Sequence, residues 1–298
     1  MPLRPVGLVG LLGLVASLAA CSGPDATALG AGRAGSSGNG SSSGAEADGG
    51  STSASSGSGG ASSGGSAGGD AATDAPAGSA VDPPLGGASK GVGGATPLSG
   101  ATLTAQGITY RLIVPATYGG APTPLILVFS GVEGGATMTQ NLISIGPMTN
   151  TAGAIRAVLD GATYNGNGQA GATVLDEVRA KYNIDNDRTC LLGESAGTTA
   201  ALALGFELRQ SYFAAYWAND VNASASPAKN AAALGFAPHG QAGPGGDLAD
   251  ATAIVTAMNS AGYRVPTPAP YAGVGSTQHG STDQFIAALT FLADKARK

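Results

Sequence analysis

The chain has 298 residues, 50 of them glycine, and a net charge of -5 with only 11% of its residues charged. No basic cluster stands out, so nucleic acid has no electrostatic footprint here and is not expected as a partner. Two cysteines (Cys21, Cys190) and two histidines (His239, His279) form no CxxC or Cys/His cluster, which excludes the usual structural zinc patterns.

Residues 1–21 read as an export signal. Arg4 supplies a minimal positive start, and Val6 to Ala20 is apolar, interrupted only by small Gly and Ser. The run is too short for a comfortable membrane span and ends in small residues. Its ending, Leu18-Ala-Ala-Cys21, resembles the bacterial lipoprotein signal, the lipobox. That resemblance implies cleavage before Cys21, lipid on the Cys21 thiol and a membrane as partner through the lipid. Ser22 follows where an aspartate would imply inner-membrane retention, so the outer membrane is the expected location. The plainer reading is a secretory signal with a cysteine near its cut site. With Cys21 lipidated, Cys190 is expected as a free, buried thiol; the other reading is a disulfide between the two.

From Ser22 to Thr96 the chain is Gly, Ser and Ala with almost no large apolar residue. Such a segment cannot offset its ordering entropy by burial and is expected to be a disordered linker. A flexible coil of about 75 residues averages about 45–50 Å end to end, enough to hold a domain away from a surface. Residues 97–298 are then one domain's worth of chain.

That part alternates strand and helix. Ile108–Val114 has period-2 character, and Pro124–Phe129 is a continuous apolar run, as expected of a strand buried on both faces. Ile155–Leu159 reads as another strand. Ala170–Tyr182 reads as a helix, with Val174, Leu175, Val178 and Tyr182 on one stripe. Apolar segments follow at Thr189–Leu192, Phe213–Ala218 and Ala231–Ala237, then a helix near 249–261 and a last strand near 263–272. The closing helix, within 281–298, stripes Phe285, Ala288, Leu289 and Leu292, with Lys295, Arg297 and Lys298 expected at its C-terminal dipole. This alternation predicts an α/β fold, a mostly parallel sheet with helices on both faces.

Gly-x-Ser-x-Gly recurs through the low-complexity segment, at 40–44, 60–64 and 64–68 among others. Only Gly193-Glu-Ser-Ala-Gly197 sits between a strand and a helix, the context in which a strained turn presents a serine hydroxyl. Ser195 is therefore the candidate nucleophile. A serine hydroxyl needs a general base, and the base needs an orienting carboxylate. His279 lies between the last strand and the closing helix, where the base belongs in the Ser–acid–His chain order. His239, at the tip of the preceding strand, is the weaker candidate. For the acid, Asp247 follows the penultimate strand and is favoured, with Asp220 as its rival. Asp250 fits a helix first turn better. The oxyanion hole is expected from the N–H of Ala196 and those of Gly131 and Val132, in the glycine-rich loop after the 124–129 strand. Glu133, in the same loop, faces either substrate or solvent. Tyr118, Trp217 and Tyr271 are possible pocket residues.

With these residues in place, the domain resembles the α/β-hydrolase superfamily. Within it, the chain is similar to the branch of secreted polyhydroxybutyrate depolymerases, feruloyl esterases and acetylxylan esterases. The segments that carry the resemblance are Tyr110–Pro115, Pro124–Gly131, Lys181–Asp185 and Gly193–Gly197. It implies hydrolysis of esters of short acids, often on polymers, through an acyl-serine and without metal or other cofactor. Two features depart from the branch: Ser130-Gly131 stands where His-Gly is usual, and no aspartate follows His239-Gly240 until Asp247. Two rival functions remain: a catalytically silent hydrolase fold that binds a glycan or polymer, and a serine peptidase.

Overall fold

The run Thr123–Phe129 forms β3, and its alternate side chains feed two separate cores. Leu125, Leu127 and Phe129 pack on one face of the sheet, and Ile126 and Val128 on the other. A strand apolar at nearly every position is thereby explained, because both of its faces are covered. The computed structural model describes residues 82–93, 96–228, 247–265 and 279–298, all within a compact unit spanning Ala71–Lys298. The expected signal with Cys21, most of the linker, the 231–237 strand, His239, Tyr271 and most of the last strand lie outside the described residues.

The described strands are β1 (Leu98–Ala105), β2 (Ile108–Val114), β3, β4 (Ile155–Leu159), β5 (Ile184–Glu194) and β6 (Ala215–Asn219). They form one sheet in the order β1-β2-β4-β3-β5-β6. β1 and β2 form an antiparallel hairpin, and β2 pairs antiparallel with β4. From β4 onward the strands are parallel. The hairpin turns at Gln106 and Gly107, both with positive φ, the backbone that a two-residue turn needs to follow strand twist.

The helices are α1 (Gly134–Ile145), α2 (Gly168–Lys181), α3 (Thr198–Leu202, continued by a π-turn to Leu208), α4 (Leu248–Ser260) and α5 (Thr282–Leu292). Val174, Leu175 and Val178 of α2 pack in the same core as Leu125 and Phe129, together with Ile254 and Met258 of α4. Met138 and Leu142 of α1 and Phe285, Leu289 and Leu292 of α5 fill the other. At roughly 1.5–3 kcal/mol per buried large side chain, the α5 stripe alone fixes the helix firmly to the sheet. That matters because α5 begins just after His279.

Two details differ from the sequence expectation. Residues expected as linker up to 96 already pair with the domain: Ser89 N–H donates to Ile184 O (2.8 Å), and Asn186 N–H to Gly87 O (3.2 Å). Backbone groups make these contacts, so a composition poor in apolar side chains does not reveal them. Arg297, expected to face a helix dipole, instead lies past the helix end and is buried. Its guanidinium donates to Pro83 O (2.9 Å), Pro84 O (2.7 Å) and Ser211 O (2.8 Å), and it pairs with Asp187 at 3.0 Å. The last residues thus clamp the start of the described chain onto β5.

Candidate active site

Ser195 is the first residue beyond β5, with φ of +45°. Non-glycine residues reach that region at roughly 1–3 kcal/mol of strain, which surrounding packing must offset. The packing is visible at the flanking glycines. A Cβ on Gly197 would lie 2.5 Å from Ser130 O and 2.7 Å from Phe129 Cβ, and one on Gly193 would lie 2.8 Å from Ala201 Cβ. Strand and helix approach too closely for any side chain at either position. Ala196 and Gly197 complete a short 3-10 turn that runs into α3.

The neighbouring strand repeats the geometry. Glu194 and Asn219 are the last register pair between β5 and β6, so Ser195 and Asp220 leave adjacent strand tips. Parallel neighbours run about 4.8 Å apart. Asp220 also has a positive φ, +46°, and its side chain is fully buried. Its carboxylate accepts from Gly280 N–H at 2.6 Å and from Gln284 Nε2 at 3.0 Å. Gln284 is the third residue of α5 and the partner of Ser281 in a reciprocal capping box: Ser281 N–H donates to Gln284 Oε1 (2.9 Å), and Gln284 N–H to Ser281 Oγ (3.4 Å). The cap that begins α5 therefore also aims Gln284 at Asp220. This tether brings His279 in: its Nδ1 lies 3.6 Å from Asp220 Oδ2, and its Nε2 lies 3.9 Å from Glu194 Oε1, beside Ser195 in the chain.

The acid favoured from sequence, Asp247, is placed elsewhere. Its carboxylate is the N-cap of α4, accepting from Ala249 N–H at 2.7 Å and Asp250 N–H at 3.1 Å. Its backbone N–H reaches Val221 O at 2.7 Å, so the residue lies close to the end of β6 while its charge is directed at the helix. An aspartate followed by a helix is a strong capping signal. Asp220, the rival candidate, is the carboxylate that meets His279.

Gly131 packs against the serine turn. A Cβ on it would lie 3.3 Å from Ser195 Cβ and 3.2 Å from Glu194 Cγ. Val132, the other expected donor of that loop, is 74% exposed. Ser130, where the resembling branch has histidine, is buried, and its hydroxyl accepts from Gly161 N–H at 3.1 Å. Asp160 steadies the same region, accepting from Gly135 N–H (3.1 Å) and Thr163 N–H (2.9 Å). Burial opposes its ionisation, but these N–H groups outweigh it and hold Asp160 below the ordinary carboxylate range.

Glu194 is the residue that sequence reasoning passed over. Its side chain is buried, and Oε2 has no hydrogen-bond partner among the described residues. Burial first, then the nearby Asp220 and Glu133, push its carboxyl well above the ordinary glutamate range. The available signal was an acidic residue at a position of β5 facing into the fold. Glu194, Asp220 and His279 offer ligand atoms within 4.8 Å of one another, a spacing that could also take a cation. Trp217 and Tyr118 belong to the core. The indole N–H of Trp217 donates to Asn219 Oδ1 (2.6 Å), and the Tyr118 hydroxyl accepts from Asn183 N–H (2.9 Å). Cys190 is free and buried, its thiol pushed up to about 12 by burial.

The strained serine turn and the strand order, with β2 alone antiparallel within the run β2-β4-β3-β5-β6, decide the architecture. The chain has the α/β-hydrolase fold. No family model and no curated protein matches its sequence. Among solved structures it is similar to a thermostable esterase (16% identity, TM-score 0.49), covering 66% of this chain and 62% of that one. It is also similar to FphF, a fluorophosphonate-binding serine hydrolase of Staphylococcus aureus (13%, TM-score 0.46; 65% of this chain, 97% of that one). A third is the ferulic acid esterase AmCE1/Fae1A of Anaeromyces mucronatus (12%, TM-score 0.45; 65% and 89%). The hydrolase-fold chain thus spans less than two thirds of the thermostable esterase, and at TM-scores below 0.5 these likenesses bear on none of its chemistry.

Proposed function

We propose that this chain is a serine esterase in which Ser195 is the nucleophile, His279 the general base and Asp220 the orienting carboxylate. The observation that carries the reading is the convergence of three separate segments. Adjacent strand tips hold Ser195 and Asp220 in left-handed backbone, and the capped start of α5, with Gly280 just before it, is tied to Asp220 beside His279.

In this reading His279 Nε2 takes the Ser195 proton as Oγ attacks the ester carbonyl. Asp220 stabilises the imidazolium that forms and fixes which nitrogen faces the serine. The negative charge on the carbonyl oxygen is met by the N–H of Ala196 and of Gly131 or Val132. His279 then gives its proton to the leaving alcohol, and water cleaves the acyl-serine by the same route reversed. The resemblance of the sequence to polymer-acting esterases favours esters of short acids, polymers among them. The lipobox-like Leu18–Cys21 favours export and a lipid anchor at Cys21 in the outer membrane. No helix among the described residues is long and apolar enough to cross a membrane.

The test is labelling by a fluorophosphonate probe. Wild-type protein is expected to label, and Ser195→Ala and His279→Ala are expected not to. Folded wild type that resists the probe would refute the esterase and favour a silent, ligand-binding hydrolase fold.

A further inference from the structure

The loop proposed to hold the oxyanion already holds an anion of its own. Gly131 N–H donates to Glu133 Oε1 at 2.9 Å. Glu133 is the residue at the N-cap position of α1, yet its side chain makes no capping bond to that helix. It turns back over Gly131 instead, so that a Cβ on Gly131 would collide with its other oxygen, Oε2. The same Cβ would lie 3.3 Å from Ser195 Cβ, which places the carboxylate beside the nucleophile.

We infer that Glu133 is an internal competitor for the oxyanion site: its carboxylate holds the Gly131 N–H in the free protein, and an ester must displace it to present its carbonyl oxygen. This rests on the proposed esterase chemistry. The chemical likeness is close, because a carboxylate oxygen and a developing oxyanion are both negative acceptors seeking the same N–H. Displacement is feasible because Glu133 is exposed and can swing into water about its own side-chain torsions. Such a competitor raises KM for ester substrates, since its removal from the site precedes binding. It leaves the chemical step unchanged, because it has already gone when the serine attacks.

Charge makes the competition pH-dependent. The groups facing Glu133 are His279, Asp160 and Glu194. Although the residue as a whole is exposed, its carboxylate is folded back against Gly131 and the serine turn, and the desolvation there raises the Glu133 pKa. The N–H groups of Glu133 itself and Gly131, and then His279, pull it back in part, while Asp160 adds to the rise. Once protonated, Glu133 is a poor rival for an N–H donor, so the competition fades as pH falls through its pKa.

The experiment compares wild type, Glu133→Ala and Glu133→Gln as full-length chains, with p-nitrophenyl butyrate turnover and fluorophosphonate labelling rates measured from pH 5 to 8. The alanine variant is expected to show KM about tenfold lower with kcat within twofold, and labelling faster by a similar factor. Glutamine keeps a neutral acceptor and should fall between the two, charge-assisted bonds being about twice as strong as neutral ones. The ratio of Glu133→Ala to wild-type labelling rates should fall towards one at the acid end. If both variants are folded and equal to or slower than wild type, or if kcat falls with KM unchanged, Glu133 shapes the loop and the inference is wrong. If neither wild type nor Glu133→Ala labels or turns over ester at any pH, the esterase reading itself has failed and this one with it.

Discussion

Asp220→Asn set against Asp247→Ala separates two aspartates whose roles the sequence alone left open. Asp220 accepts two hydrogen bonds from fixed donors, Gly280 N–H and Gln284 Nε2. An asparagine there must turn its NH2 towards one of them, leaving a buried donor unsatisfied at about 1–3 kcal/mol. Ordinary domains carry about 5–15 kcal/mol of stability, so the variant should remain folded. Its kcat, however, should drop by about 10³–10⁴-fold, because the amide neither stabilises an imidazolium nor fixes the productive tautomer. That loss corresponds to about 4–5.5 kcal/mol of transition-state stabilisation, more than the expected structural effect can supply. Asp247→Ala removes only a helix cap. It should lower stability by about 1 kcal/mol, read as a shift in the urea midpoint, with kcat within twofold of wild type. The assay is ester turnover on both variants, with circular dichroism to establish folding. The reasoning collapses if Asp220→Asn keeps kcat within tenfold while Asp247→Ala loses it.

Two further outcomes are expected. Glu194 binds its proton more tightly in the folded chain than in the unfolded one, so it favours the fold at low pH and this contribution is lost as pH rises from the ordinary glutamate range towards its raised pKa. Over that window stability should fall by about 1.4 kcal/mol per pH unit from this group, and Glu194→Gln should lack that slope. Thermal melts of both proteins from pH 4 to 8 should therefore diverge in favour of the glutamine variant, and parallel melting curves would show that Glu194 ionises normally. At the other end of the chain, Cys21→Ser should release into the soluble fraction a protein that otherwise sediments with membranes, whereas equal partition of both would dispose of the lipid anchor.

What the sequence made legible follows from where each signal comes from. The strands at 108–114, 124–129 and 155–159 were readable because burial on one or both faces leaves a direct trace in side-chain polarity. The closing helix was readable as a stripe, although it ends at Leu292 and Arg297, beyond that end, turns to the backbone of Pro83 and Pro84 instead of a dipole. β1 and α1 left weaker traces. β1 is mostly small and polar residues with only two leucines, and α1 opens on the glycine pair Gly134-Gly135 and carries a polar residue, Thr139, on its buried face. The 82–93 segment left none, since its contacts run through backbone groups and the hydroxyl of Ser89, which leave no apolar trace.

The site divides along the same line. Ser195 and His279 could be named because each sits in a position that one-dimensional order defines: a motif between strand and helix, and a histidine before the last helix. The proposed acid could not be chosen this way, because either aspartate satisfies the order Ser–acid–His. Register is what favours Asp220. Ser195 and Asp220 each lie one step past a matched pair, Glu194 with Asn219, and no reading of one strand at a time contains that fact. The positive φ at both tips is the physical expression of the pairing, with two neighbouring strands ending in the same strained turn and presenting their side chains at the same end of the sheet. Glu194 was hidden for a related reason. Its burial and raised pKa involve Asp220, Glu133 and the His279-Gly280 pair beside it, three segments that meet only after the sheet has formed.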